Sequence, residues 1–243
     1  MIFIKSLGKE FCIYAPFWVY LTLFGGFWNE AFNTLDLLFK KKEKRSLIPV
    51  FLIPGTLGGR GTLLVLKRRL KKYFKNVFIF KPLRFELISR EKNAQRLHAF
   101  IDVKLKLTRQ DKFLVLGHSQ GGLIGRQTMN LYDPGGEKTL QIVTIGTPSV
   151  GTWAAAVVLP IMWWARALWQ LLPPFAADID QSPSAKKTLS FRGKYDPAFF
   201  SWPYKARNVK EYIISGMHIS PIFERQAFDN ILQHLIKIGG IKC

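Results

Sequence analysis

Residues 111–126 read Asp-Lys-Phe-Leu-Val-Leu-Gly-His-Ser-Gln-Gly-Gly-Leu-Ile-Gly-Arg, and they leave few folds open. Residues 113–116 form a short apolar run of buried-strand type, and residues 122–132 suit a helix. Between them stands Gly117-His118-Ser119-Gln120-Gly121. Small residues two before and two after a serine let a strand turn sharply into a helix. Such a turn holds the serine in a strained backbone conformation with its hydroxyl exposed. The helix start that follows offers backbone N–H groups and the positive end of a dipole to an oxyanion. The spacing therefore predicts a nucleophile elbow at Ser119, against the alternative of a plain glycine-rich turn.

The chain on either side alternates between two patterns. Strands are predicted at 47–53, 77–80, 140–145, 188–191 and 209–214. Between them, Leu63, Leu66, Leu70, Tyr73 and Phe74 mark one helical face within 61–74, and Ala94, Leu97, Ile101 and Leu105 mark another. Phe223, Ala227, Ile231, Leu232 and Leu235 mark a closing helix. Alternation of this kind argues an α/β fold, a mostly parallel sheet with helices on both faces. Ligands in such sheets bind at the carboxyl ends of the strands, where Thr56, Ser119 and Thr147 fall. The loop Pro54-Gly55-Thr56-Leu57-Gly58-Gly59 follows the first strand, and the Thr56 N–H is expected to join that of Gln120 in an oxyanion hole. A phosphate loop is excluded, since Arg60 stands where its second glycine belongs.

Asp196 lies just past the strand at 188–191 and His218 just past the next, giving the order Ser…Asp…His. Asp178 and Asp180 are rival acids. His234 sits inside the closing helix, His98 lies on a helix without a partner at ligand spacing, and His118 is held in the turn itself. His218 is thus the histidine placed to act as a base. Residues 152–177 carry one charge, Arg166, together with Trp153, Trp163, Trp164 and Trp169. A stretch so apolar between two core strands is no solvated loop. It is expected to form a lid or acyl-binding cap, residues 152–186, or else a helix buried against the sheet.

Residues 11–29 contain no charge, a length near that needed to cross a bilayer. Pro16, Gly25, Gly26 and the aromatic excess also suit an interfacial helix. A membrane anchor or interfacial helix is expected, ahead of a helix packed on the domain; a cleaved signal fits least, because no small-x-small site follows. Residues 1–46 are accordingly read as a hydrophobic, membrane-associating segment with a basic linker, and 47–243 as the catalytic-type domain. The net charge is +20, and 12 of the 36 Lys and Arg fall between Lys40 and Lys75. An anionic membrane surface is the expected partner, since no nucleic-acid module accompanies the charge; a merely solvated basic face is the alternative. If 11–29 spans, the Lys40–Arg45 cluster places the domain on the cytoplasmic side. Cys12 and Cys243 form no metal or disulfide pattern, and neither metal nor organic cofactor is expected.

The elbow, the Gly146-Thr147-Pro148 after the next strand, Lys194-Tyr195-Asp196 and Gly216-Met217-His218 together resemble the α/β-hydrolase lipase/esterase family. The likeness is to bacterial members with an apolar N-terminal segment, and it covers residues 47–237. Two departures stand out: Pro54-Gly55 where the family usually has His-Gly, and Met217 between Gly216 and His218. The resemblance implies hydrolysis of carboxylic esters of lipids by Ser119, His218 and Asp196 through an acyl-enzyme. Acyl transfer or thioester cleavage on the same residues, and a non-catalytic membrane-binding module, are the rival readings.

Overall fold

Consecutive apolar residues of a strand can all be buried only if both faces of the sheet are covered. The structure, a computed structural model, describes residues 45–56, 60–81, 89–152, 155–156, 159–160, 163–164, 166–172, 182–196, 209–214, 218, 220–223 and 225–238. Its strands are β1 (Val50–Ile53), β2 (Val77–Ile79), β3 (Phe113–His118), β4 (Thr139–Ile145), β5 (Thr188–Gly193) and β6 (Lys210–Ile214). They form one sheet in the order β2-β1-β3-β4-β5-β6. Every pairing is parallel, which requires a crossover between strands. Helices α1 (Leu64–Leu70), α2 (Arg90–Thr108), α3 (Gln120–Tyr132), α4 (Arg166–Trp169), α5 (Ser220–Phe223) and α6 (Arg225–Ile238) occupy the intervening and closing segments.

Side chains divide between the faces with a period of two. Val50, Leu52, Leu114, Leu116, Val143 and Ile145 join one core with α1 and α6, through residues such as Leu66 and Ile231. Phe51, Ile53, Phe113, Val115 and Ile142 join the other with α2 and α3, through Leu97, Ile101 and Ile124. Phe51 anchors the second core, edge-on to Phe113 at 5.5 Å and to Phe100 at 6.0 Å. Each side chain of this size contributes ~2 kcal/mol on burial. The two cores hold the sheet rigid, and with it the loops at its carboxyl edge.

Several boundaries differ from expectation. Strand β1 starts at Val50 and not at 47, β2, β4, β5 and β6 shift by one or two residues, and larger shifts fall around α1 and the elbow. The helical face at 61–74 is a 3-10 turn, Arg60–Leu63, followed by a helix that ends at Leu70. The N–H groups of Tyr73 and Phe74 both donate to the Leu70 carbonyl, and the resulting turn brings Phe74 alongside Ser46. Strand β3 runs on to His118, because Gly117 still pairs with Ile53 and Thr144, and His118 with Ile145. Helix α3 accordingly begins at Gln120. The apolar stretch 11–29, the basic run 40–44, Trp153 and the rival acids Asp178 and Asp180 lie outside the described residues. Among the described residues, no helix is long and apolar enough to cross a membrane.

Candidate active site

Ser119 has φ 51° and ψ −128°, a left-handed conformation that residues with a side chain seldom adopt. The surroundings hold it there. Its N–H donates to the Ile145 carbonyl at 2.8 Å, and its own carbonyl accepts from the Gly122 N–H at 3.0 Å and the Thr147 hydroxyl at 2.8 Å. The flanking glycines are demanded by close approach. A Cβ on Gly117 would lie 2.5 Å from Gly122 backbone, one on Gly121 2.3 Å from the Pro54 carbonyl oxygen, and one on Gly122 2.2 Å from Thr147 Oγ1. The sequence pattern thus has a steric cause at each small residue.

Asp196 and His218 come from the ends of β5 and β6. Past Gly193 the chain turns at once, the Asp196 N–H donating to the Gly193 carbonyl at 3.2 Å. The Asp196 side chain is fully buried, and its two carboxylate oxygens each lie 3.0 Å from His218 Nδ1. On the other side of the ring, Nε2 is 3.0 Å from Ser119 Oγ. With the Nδ1–H donated to the carboxylate, Nε2 is left to accept from the serine hydroxyl. Gly146 forms the floor of this arrangement: its φ is +58°, and a Cβ there would meet the His218 carbonyl at 3.0 Å and Asp196 Oδ2 at 3.2 Å. The three residues singled out in the sequence are therefore brought together at the carboxyl edge, from the ends of β3, β5 and β6.

His118, held in the turn beside Ser119, contacts the base residue, His218. Its ring lies 5.1 Å from that of His218, and its Nε2–H donates to the His218 carbonyl at 3.3 Å. Burial, with the neighbouring His218 imidazole adding to it, lowers the His118 pKa from 6.5 to about 3. A neutral His118 places no repelling charge beside a protonated His218. The unfolded chain protonates His118 near 6.5 and the native state near 3, so the unfolded state binds more protons in between. Stability is therefore expected to fall as pH drops from 6.5 towards 3, by up to about 1.4 kcal/mol per pH unit. Urea midpoints measured at several pH values should fall less steeply over this range in His118→Gln; parallel slopes in the two proteins would place the acid sensitivity elsewhere.

The loop after β1 runs directly beside the elbow. A Cβ on Gly55 would lie 2.7 Å from Ser119 Cβ, and the Thr56 hydroxyl donates to Gln120 Oε1. The two residues expected to supply oxyanion donors are thus in contact, with Gln120 opening α3. The segment after β4 packs on the same helix, since Leu123 of α3 shares a cluster with Ala155, Leu159, Leu168, Leu171 and Leu172. Gln170 ties it down further, accepting from the Arg90 N–H at 2.7 Å and donating to the Glu91 carboxylate at 3.0 Å. Trp163, Trp164 and Trp169 remain 70%, 57% and 45% exposed. His98 instead stacks on Tyr132 at 4.0 Å and pairs with Asp102, away from the site. His234 contacts Tyr212 and Phe191 on the α6 side. Among the described residues no group of three or more His, Cys, Asp or Glu is arranged to hold a metal ion.

No protein-family model and no curated protein matches the sequence. Solved structures do match in three dimensions. Lipase B of Aspergillus fumigatus superposes with a TM-score of 0.55 at 18% identity, over 72% of this chain and 45% of that one. This chain thus spans under half the length of that lipase. A lipase of Bacillus licheniformis in its mature form gives 0.59 at 15% identity, over 81% of this chain and 94% of that one. An α/β-hydrolase enzyme from the metagenome of Mar Chica lagoon sediments, Morocco, gives 0.53 at 16% identity, over 82% and 97%. These likenesses, together with the parallel six-stranded sheet, show that the chain has the α/β-hydrolase fold.

Proposed function

We propose that the protein is a serine hydrolase cleaving carboxylic esters of lipids. The observation that carries this reading is the unbroken chain of 3.0 Å contacts from Ser119 Oγ through the His218 ring to the buried Asp196 carboxylate. His218 takes the proton of Ser119 as Oγ attacks the ester carbonyl, and Asp196 holds the ring in the required tautomer and offsets its positive charge. The N–H groups of Gln120 and Thr56 receive the oxyanion, each donor contributing a few kcal/mol, ~3, in the transition state. His218 then returns its proton to the leaving alcohol, and water, activated by the same ring, releases the acyl group. The apolar segment over α3, with Trp163, Trp164 and Trp169 exposed, serves as the acyl-binding lid, and Trp153 belongs to the same stretch. Lipases and esterases among the matched structures support an ester substrate. Residues 11–29 and the basic run that follows bring the enzyme to an anionic membrane surface.

Fluorophosphonate labelling and a panel of short esters, triglycerides and phospholipids test this together. Labelling at Ser119 with release of free fatty acid is the expected result. Transfer of the acyl group to an added alcohol or thiol in preference to water would reassign the protein as an acyltransferase. Absence of both labelling and turnover would leave a non-catalytic module.

A further inference from the structure

In a wholly parallel sheet all strand starts lie on one edge, and here the Ser119 site lies on the other. The edge of strand starts is cationic. Lys75, Lys112, Lys138 and Lys186 precede β2, β3, β4 and β5 by one or two residues, Lys210 opens β6, and all five are exposed. Neighbouring strands sit ~4.8 Å apart, so these positions form a row some ~20 Å or more long. Asp111 and Glu137 are exposed beside them, but the Asp133 carboxylate is engaged by the N–H groups of Glu137 and Thr139. The chain reaches β1 at this same edge. The Ser46 N–H donates to the Tyr73 carbonyl at 2.8 Å, and the Lys75 N–H returns a bond to Ser46 at 2.9 Å. In sequence, the run Lys40-Lys41-Lys42-Glu43-Lys44-Arg45 immediately precedes Ser46, and the uncharged stretch 11–29 comes before it.

We infer that this edge seats the domain on an anionic lipid bilayer and turns the Ser119 site away from it. Lipid is favoured over nucleic acid by the uncharged, aromatic sequence at 11–29 that precedes the basic run. The partner rests on the membrane association proposed above, while ester hydrolysis is not needed for it. The tryptophan-bearing segment follows β4 and is bonded to the first residues of α2, so it lies on the opposite side, with the site. Its ester substrate accordingly arrives from the aqueous phase or from an apposed lipid surface, and not from the bilayer beneath.

The test uses the full chain in a Cys12→Ser, Cys243→Ser background, with a fluorophore attached at Lys138→Cys or at Trp164→Cys. Vesicles of phosphatidylcholine with about 30% phosphatidylglycerol carry a headgroup quencher. Quenching is expected at position 138 and not at 164. Replacing Lys75, Lys112, Lys138, Lys186 and Lys210 by Gln is expected to abolish the preference for phosphatidylglycerol, an effect of about tenfold or more, with hydrolysis of a soluble short ester unchanged. Quenching at 164 alone, quenching at neither position, or an undiminished lipid preference in the five-Gln variant would each overturn the inference. So would loss of duplex DNA binding in that variant with vesicle binding intact, which would assign the row to nucleic acid. Hydrolysis is read separately, so failure of the seating and failure of the hydrolase reading are distinguishable.

Discussion

Ser119→Ala is expected to lower kcat for ester hydrolysis by about 10⁵-fold or more and to abolish fluorophosphonate labelling. The size of the effect follows from what the hydroxyl does. Without Oγ no acyl-enzyme forms, and what remains is the oxyanion donors and substrate binding, which accelerate attack by water only weakly. The loss should not come from unfolding. The Ser119 backbone is held by its N–H to Ile145 and by its carbonyl to Gly122 and Thr147, none of which involves the hydroxyl. Alanine at φ 51° is no more strained than serine there. Urea unfolding of the variant should therefore match wild type or show a small gain, as is common when a strained functional residue is simplified. Turnover retained within about tenfold would remove Ser119 from the chemistry.

How much of this was legible in the sequence depended on how local the cause was. The elbow is a short-range object: Gly117, Gly121 and Gly122 are required within a few residues of Ser119, so their spacing shows directly. The strands show too, because a doubly covered strand is an unbroken apolar run, as in Val50–Ile53. Asp196 and His218 were reached through their places after β5 and β6, which order along the chain reveals. The contact of His118 with the His218 carbonyl was not legible, since it joins residues 100 positions apart and depends on how two loops meet at the sheet edge. Thr147 was placed at the carboxyl edge, but its bond to the Ser119 carbonyl was not. The link from Gln170 to Arg90 and Glu91 was hidden for the same reason. Helix ends shifted where a turn had its own tertiary reason, as at Leu70 and Phe74. The lysine row lies in plain view as residues, but only the parallel order of the strands gathers it onto one edge.

Asp196→Asn is expected to lower kcat by about 10⁴-fold while leaving ester binding nearly unchanged. Both carboxylate oxygens lie 3.0 Å from His218 Nδ1, and the side chain has no access to water. An acceptor-only group in that position forces the ring proton onto Nδ1 and frees Nε2 to take the serine proton. An amide removes the constraint. If its NH₂ faces the ring, Nδ1 becomes the acceptor and Nε2 carries the proton towards Ser119, where it cannot act as a base. If its oxygen faces the ring, the tautomer survives but the imidazolium formed during attack loses its counter-charge. Either way the proton transfer suffers and substrate contacts do not, so KM should move by about twofold or less. The change is isosteric, and the full burial of the Asp196 side chain argues against a larger replacement as the probe. The same substitution at Asp178 or Asp180 separates the rival acids: each should retain activity within about twofold. A collapse in Asp178→Asn or Asp180→Asn with Asp196→Asn still active would mean that the buried carboxylate facing His218 is not the one the reaction uses.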